Sequence, residues 1–162
     1  FRQATMAPRV LTLASLTAHT GNRVTAERIS RAISPDDCCF FLDVASVASA
    51  AALAEELRER RVELVLGIHA DRAGRLLLGC GVPFVVVLGG TDMNEHLRDR
   101  EKAPVIRAAI EEAAAVVAFS ETLYGAAVAA APAAVAKTFV VPQAVTSPLL
   151  LPLLLLLLLP LI

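Results

Sequence analysis

Four residues at the end of an apolar run have the clearest capacity for chemistry: Gly89, Gly90, Thr91 and Asp92. The preceding run, residues 84–88, is rich in valine and predicts a strand buried on both faces. Paired glycines let the backbone approach a ligand closely and adopt a positive φ, and we expect them to serve neither a helix nor a strand. Asp92 can deprotonate a bound hydroxyl, or it can cap the following turn. We therefore interpret Asp92 as the candidate catalytic residue and the three residues before it as substrate-binding.

A second polar cluster follows the apolar run 64–68. His69, Asp71, Arg72 and Arg75 supply one imidazole, one carboxylate and two guanidinium groups, which together can hold a sugar or a phosphate. The alternative is structural, with Asp71 complementing the dipole at the start of a helix. His69 and Arg72 are the residues that we assign to substrate binding here.

A third cluster contains His19, Gly21 and Asn22 and precedes the predicted helix 25–33. The free N–H groups and the dipole at a helix N-terminus favour an anion such as a diphosphate. The single glycine is a weak signal, because neither the G-x-G-x-x-G fingerprint nor the G-x-x-x-x-G-K-[ST] phosphate loop occurs in the sequence. We include the three residues among the substrate-binding candidates.

Glu121 and the three histidines are further candidates for a functional role. Glu121 follows the predicted fifth strand and is a substrate-binding candidate, while the alternative is that Ser120 caps a helix and Glu121 belongs to its acidic first turn. His19, His69 and His96 lack the spacing of H-E-x-x-H, so a metal site would require the fold to bring them together. The sequence therefore predicts neither a metal nor a cofactor.

Apolar periodicity predicts the elements that position these clusters. Strands are expected at residues 10–16, 38–43, 64–68, 84–88, 116–119 and 138–141, and helices at 25–33, 47–60, 73–78, 104–115 and 121–131. Regular alternation of strand and helix indicates right-handed crossovers and a mostly parallel sheet. We predict a Rossmann-like, doubly wound α/β domain whose ligand site lies at the carboxyl ends of the strands.

Composition narrows the class of protein. The chain has 162 residues and a net charge of −1, with basic and acidic residues interspersed, which suits one domain with a sizeable core. Aromatic residues are scarce and Trp is absent, which argues against a nucleic-acid partner. Three cysteines, two of them adjacent, do not form a disulfide framework and favour a reducing, cytoplasmic compartment.

The two ends differ from the middle of the chain. We predict an N-terminal extension over residues 1–9, the α/β domain over 10–145 and a low-complexity tail rich in Leu and Pro over 146–162. The pure leucine run is shorter than the roughly 20 residues of a spanning helix, and prolines interrupt the tail. We therefore favour a low-complexity end over a contact with the membrane.

The polar clusters carry a family resemblance. The motifs His-Thr-Gly-Asn at 19–22 and Gly-Gly-Thr-Asp at 89–92, with the segments 69–77, 116–121 and 140–143, resemble the N-terminal half of GT-B glycosyltransferases related to family 4. The resemblance implies one of two Rossmann-like domains in an enzyme that transfers a hexose from a nucleotide-diphosphate sugar to an acceptor hydroxyl. It also implies that this transfer needs no metal.

The same resemblance implies roles for individual residues. Gly21 and Asn22 would lie near the donor diphosphate, and Asp92 would orient or deprotonate the acceptor hydroxyl. The residues implied on the acceptor side are His69, Arg72, Asp92 and Glu121.

The sequence departs from this family in one respect. The C-terminal domain, which supplies most donor contacts, is not recognisable, and the leucine-rich segment stands where it would begin. The resemblance thus implies a truncated acceptor-side domain that is inactive alone, and whether the chain is an enzyme stays open. The alternative is a non-catalytic ligand-binding or regulatory α/β module.

Overall fold

Six strands form one sheet in the computed structural model, which describes residues 8–16, 21–33 and 39–142. The strands are β1 (Val10–Ala14), β2 (Cys39–Asp43), β3 (Leu64–Ile68), β4 (Phe84–Val87), β5 (Ala115–Ala118) and β6 (Thr138–Val140). They pair in the order β2-β1-β3-β4-β5-β6, and every pairing is parallel. The predicted Rossmann-like α/β class is confirmed.

Helices connect the strands. They are α1 (Gly21–Ile33), α2 (Ala50–Glu59), α3 (Gly74–Leu77), α4 (Gly90–Asn94), α5 (Lys102–Glu112) and α6 (Glu121–Ala130), with short 3-10 turns at Val44–Ser46, His96–Arg98 and Pro132–Lys137. Most predicted boundaries shift by a few residues. The exception is α4, which the sequence did not predict and which begins at one of the two glycines that we expected in a loop.

Each face of the sheet buries its own apolar set, because side chains alternate along a strand. On one face, β-strand residues pack with α2, α3, α5 and α6; this set includes Leu11, Leu13, Val65, Val86, Leu53, Leu57, Leu77, Ile106, Ile110 and Ala127. The other face includes Val10, Ala14, Leu66, Val85, Val87 and Val117, with Ala26 and Ile29 of α1. The hydroxyls of Thr12 and Ser30 share a hydrogen bond of 3.1 Å inside this second set, joining β1 to α1.

The strand order reverses next to β1, because β1 connects outward to β2 while β3 lies on its other side. Ligands of open α/β sheets bind in the crevice outside the carboxyl ends of the strands at such a reversal. Asp43 joins the ends of β1 and β2 beside the reversal: its carboxylate accepts from the backbone N–H groups of Ala45 at 2.9 Å and of Leu16 at 3.2 Å. Because every pairing is parallel, the carboxyl ends of β1, β3, β4 and β5 lie at one edge of the sheet.

The packing of α3 against α5 depends on the absence of a side chain at Gly74. A Cβ at this position would lie 2.7 Å from the Cβ of Ala109, closer than two non-bonded carbon atoms approach each other in proteins. We expect Gly74→Ala to lower the free energy of unfolding by about 1–3 kcal/mol through overpacking. Urea unfolding measures the change.

Gly125 provides the matched control, because it lies in α6 and a Cβ there would meet nothing within 4 Å. Gly125→Ala should raise stability by about 0.5–1 kcal/mol through helix propensity. Equal effects of the two substitutions would contradict the contact between α3 and α5.

Three predictions concern residues that the structure does not describe. His19 and the segment 146–162 lie outside the described residues, and so does the boundary proposed near residue 145. Within the described ranges, no helix is long and apolar enough to cross a membrane.

Candidate functional site

Asp92 lies at the centre of the polar cluster and is completely buried. Its Oδ2 accepts hydrogen bonds from the backbone N–H groups of Ala70 at 2.7 Å and Gly89 at 3.1 Å, and its Oδ1 accepts one from Asp71 at 3.1 Å. These donors belong to the loop after β3 and to the loop after β4. One carboxylate therefore fixes the two loops relative to each other.

The burial of Asp92 bears on the two roles that the sequence left open for it, deprotonation of a hydroxyl and capping of the following turn. A carboxylate that deprotonates a bound hydroxyl must reach it, whereas this one is enclosed and already accepts three backbone N–H groups. The bond from Gly89 also makes Asp92 a cap for the first turn of α4, the alternative that the sequence left open. A role in orienting other groups is compatible with this geometry and stays a prediction.

His69 is the side chain that contacts Asp92. Its Nδ1 lies 2.5 Å from Oδ1 of Asp92, although the ring N–H does not point at the oxygen well enough for a hydrogen bond. The backbone of His69 has a φ of +82°, which L-residues with a side chain rarely adopt. A strained backbone conformation of this kind persists where several surrounding contacts fix it, and it is frequent at functional sites.

The absence of a side chain at Gly89 makes room for the imidazole of His69. A Cβ at Gly89 would lie 3.2 Å from Cδ2 of His69 and 3.4 Å from Oδ2 of Asp92. The expected close approach therefore exists, but it is an approach to His69. The expected positive φ is wrong here, because Gly89 has a φ of −95° and Gly90 lies in α4.

A second imidazole continues the cluster. The rings of His69 and His96 meet edge to face with centroids 5.4 Å apart. Nδ1 of His96 lies 3.1 Å from Oδ2 of Asp71, whose Oδ1 accepts a hydrogen bond of 2.6 Å from Nη2 of Arg75. A chain of contacts thus runs from Asp92 through His69, His96 and Asp71 to Arg75.

This cluster also has the composition of a metal site, because His69, Asp92 and His96 each offer a ligand atom within 4.8 Å of the others. The spacing of the histidines in sequence did not predict this. The carboxylate fits a cation poorly, however, since both of its oxygens accept backbone N–H groups. A metal would have to displace bonds that hold the two loops together.

The other predicted site residues lie at the same edge of the sheet. Arg72 is exposed and lines a cleft of about 470 Å³ with His96. Thr91 and Gly90 are exposed in the first turn of α4. Gly21 and Asn22 begin α1. Glu121 is exposed at the start of α6, where Ser120 accepts a hydrogen bond of 3.3 Å from the N–H of Leu123, so the predicted N-cap is confirmed.

Sequence reasoning left Asp71, Arg75 and His96 out of the site. Asp71 and Arg75 were noticed in their loop, and an acid four residues before a base on a helix is a recognisable pairing signal. His96 had no comparable signal, because its approach to His69 depends on the short helix α4 and on the 3-10 turn that follows it.

The chain is similar in sequence to a known protein. No protein-family model matches the chain. It is 34% identical over 137 residues to glycosyltransferase 1 domain-containing protein 1 of Xenopus tropicalis, a match that covers 85% of this chain and 40% of that relative. The chain thus spans less than half the length of the curated relative it matches.

A solved structure supports the fold independently. The structure of UDP-N-acetylglucosamine 2-epimerase from Rickettsia bellii matches with a TM-score of 0.50 and 15% sequence identity, over 95% of this chain and 48% of that one. At this level of identity the likeness shows the α/β fold alone. The resemblance carried by the polar loops is confirmed by the sequence match, and over the matched residues the chain is homologous to glycosyltransferase 1 domain-containing protein 1.

Proposed function

We propose that this chain is the acceptor-side domain of a GT-B glycosyltransferase, which transfers a hexose from a nucleotide-diphosphate sugar to an acceptor hydroxyl. One observation carries the proposal: the loops after β3 and β4 converge on a buried carboxylate that orients an imidazole, in a chain homologous to a glycosyltransferase-domain protein. An imidazole held by a carboxylate is a common arrangement for accepting a proton from a hydroxyl.

On the acceptor side, His69 takes the leading role. His69 is itself 6% exposed and its Nδ1 faces Asp92, so Nε2 is the ring nitrogen that remains for a ligand. Asp92 then acts through His69 as a positioning residue. The exposed side chains of Arg72 and Thr91 supply donors to the acceptor in this proposal, and Glu121, at the start of α6, is a further contact.

On the donor side, the proposal uses the start of α1. Gly21 and Asn22 are the first residues of a helix of 13 residues, whose free N–H groups and dipole favour a diphosphate. A Cβ at Gly21 would meet nothing within 4 Å, so the glycine leaves open space at the helix end.

These 162 residues taken alone should not transfer sugar. The described residues supply one wall of the proposed cleft, and catalysis of this kind requires water to be excluded and the departing diphosphate to be stabilised from both sides. We expect no acceptor-dependent release of nucleoside diphosphate when the purified chain is incubated with UDP- or GDP-hexoses. Turnover above the uncatalysed rate would contradict this expectation.

A chimera tests the transfer function itself. In the Xenopus tropicalis relative, the matching segment is replaced by residues 8–142 of this chain, and labelled hexose is followed into the product. The unaltered relative serves as the reference. Transfer by both proteins supports the proposal, whereas a folded chimera that is inactive beside an active relative contradicts it.

One observation favours a second candidate function, a non-catalytic ligand-binding module. The carboxylate of Asp92 accepts three backbone N–H groups, which is sufficient to explain it as a structural element. This candidate predicts that the chimera binds a nucleotide sugar or an acceptor without product formation.

We also propose a cytoplasmic location. The support is cysteine usage, since three cysteines with two of them adjacent do not make a disulfide framework.

A further inference from the structure

The cleft beside the cluster contains unneutralised positive charge. It has a volume of about 470 Å³ and lies between the turn after β2, helix α3 and the start of α5. Three permanently basic side chains line it, namely Arg72, Arg75 and Lys102, together with a single acid, Asp71.

That acid is already paired. Asp71 is almost fully buried, and its Oδ1 accepts from Arg75 at 2.6 Å while its Oδ2 lies 3.1 Å from Nδ1 of His96. In the part of the chain that the structure describes, Arg72 makes no ion pair. Nζ of Lys102 lies 4.0 Å from Asp99, in a pair whose two side chains are more than one third exposed. Exposed pairs of that kind are weak, so Lys102 is available to a ligand, while the unpaired positive charge is that of Arg72.

The remaining walls limit the shape of a ligand. Val44, Val47 and Leu76 add apolar surface to the same cleft. A guanidinium and an ammonium in one cleft suit a phosphate, because arginine offers two parallel donors and lysine a compact charge. His96 lines this cleft and also meets the ring of His69 at a centroid distance of 5.4 Å. The cleft therefore lies one side chain away from the proposed acceptor site.

We propose that the acceptor is a phosphorylated polyol or sugar, with its phosphate bound by Arg72 and Lys102 and one of its hydroxyls directed toward His69. This inference rests on the proposed function and adds the substrate class. A phosphate bound away from the reacting hydroxyl would hold the acceptor in a fixed orientation. The binding energy of the phosphate then contributes to the rate of transfer at the hydroxyl.

A second source of phosphate is the diphosphate of the donor. The start of α1 is the place proposed for that group, and none of its residues lines this cleft. If the acceptor supplies the phosphate, a sugar phosphate should bind at Arg72 and Lys102 more tightly than a nucleoside diphosphate does. If the donor supplies it, the order should be reversed, so one set of titrations separates the two sources.

The test uses the full 162-residue chain and NMR titrations of the arginine side-chain N–H resonances. The probes are inorganic phosphate, glucose 6-phosphate, glucose and uridine diphosphate. Glucose 6-phosphate should bind saturably, and glucose should bind at least about tenfold more weakly, because the charge-assisted bonds are lost. The double variant Arg72→Gln, Lys102→Gln should weaken both phosphate and glucose 6-phosphate by about tenfold or more.

Arg107 offers the matched control, since it is an exposed arginine of α5 that does not line the cleft. Arg107→Gln should leave the affinities unchanged. The proposal is overturned if phosphate does not bind, if Arg107→Gln weakens binding as much as the double variant, or if uridine diphosphate occupies these residues more tightly than glucose 6-phosphate. This test measures binding and not transfer. A failure to bind glucose 6-phosphate would therefore overturn the substrate class without overturning sugar transfer, and an inactive chimera would not by itself overturn the binding of a phosphate.

Discussion

Replacing Asp92 with alanine is expected to lower the free energy of unfolding by about 3–5 kcal/mol, the largest effect of any single change proposed for this chain. The substitution leaves the N–H groups of Ala70, Asp71 and Gly89 without their acceptor, and the bonds from Ala70 and Asp71 are the two that join the loop after β3 to the segment after β4. Buried donors without a partner cost about 1–3 kcal/mol each. Chemical unfolding with the wild-type chain as reference measures the difference.

Because alanine at this position threatens the whole fold, Asp92→Asn is the companion variant. Asparagine has one carbonyl oxygen, and its NH₂ group must face at least one backbone N–H where the aspartate has an acceptor. We expect a smaller but clear loss of stability, about 2–3 kcal/mol.

Asp99 provides the matched control for Asp92. Its Oδ1 also accepts two backbone N–H groups, from Glu101 at 2.9 Å and Lys102 at 3.2 Å, but the carboxylate is exposed. These two bonds hold the pKa of Asp99 below its ordinary value. Water can replace the lost acceptor there, so Asp99→Asn should destabilise far less than Asp92→Asn. Equal losses would contradict the importance that we give to burial.

The second large effect concerns activity. In the chimera, His69→Asn should reduce acceptor-dependent transfer by about 10²–10⁴-fold, the usual contribution of a positioned proton acceptor. Asparagine is chosen because His69 has a φ of +82°, a region that asparagine tolerates better than most residues. The variant should therefore stay folded, and circular dichroism checks this directly.

Asp92→Asn helps to separate positioning from structure in the same assay. If Asp92 acts through His69, the asparagine variant should keep acceptor affinity while kcat falls. A loss explained wholly by unfolding would leave Asp92 a structural residue only.

Much of the fold could be predicted because its signals are local. The strand β4 is an uninterrupted apolar run, α5 shows helical periodicity, and the N-cap Ser120 marks the start of α6. Predicted ends moved where capping decided them. Helix α2, for example, begins after Ser49, whose Oγ accepts from the N–H of Ala52 at 3.2 Å.

The site was less predictable, because its contacts cross between loops. The sequence placed His69 and Asp92 at the ends of neighbouring strands, and the register of β3 with β4 makes those ends meet. Nothing local indicated that the carboxylate would turn inward to three N–H groups. The two glycines were expected to serve a ligand, but Gly89 accommodates the ring of His69 and Gly90 starts a helix of five residues.

The most direct test of the sugar-transfer account is the rate of hexose transfer by the chimera and by its His69→Asn variant, measured side by side with Arg107→Gln. The account predicts acceptor-dependent product with the chimera, an unchanged rate with Arg107→Gln, and a loss of at least about 100-fold with a folded His69→Asn. A folded His69→Asn chimera that transfers hexose at the parental rate would show that the cluster after β3 and β4 is not the acceptor site.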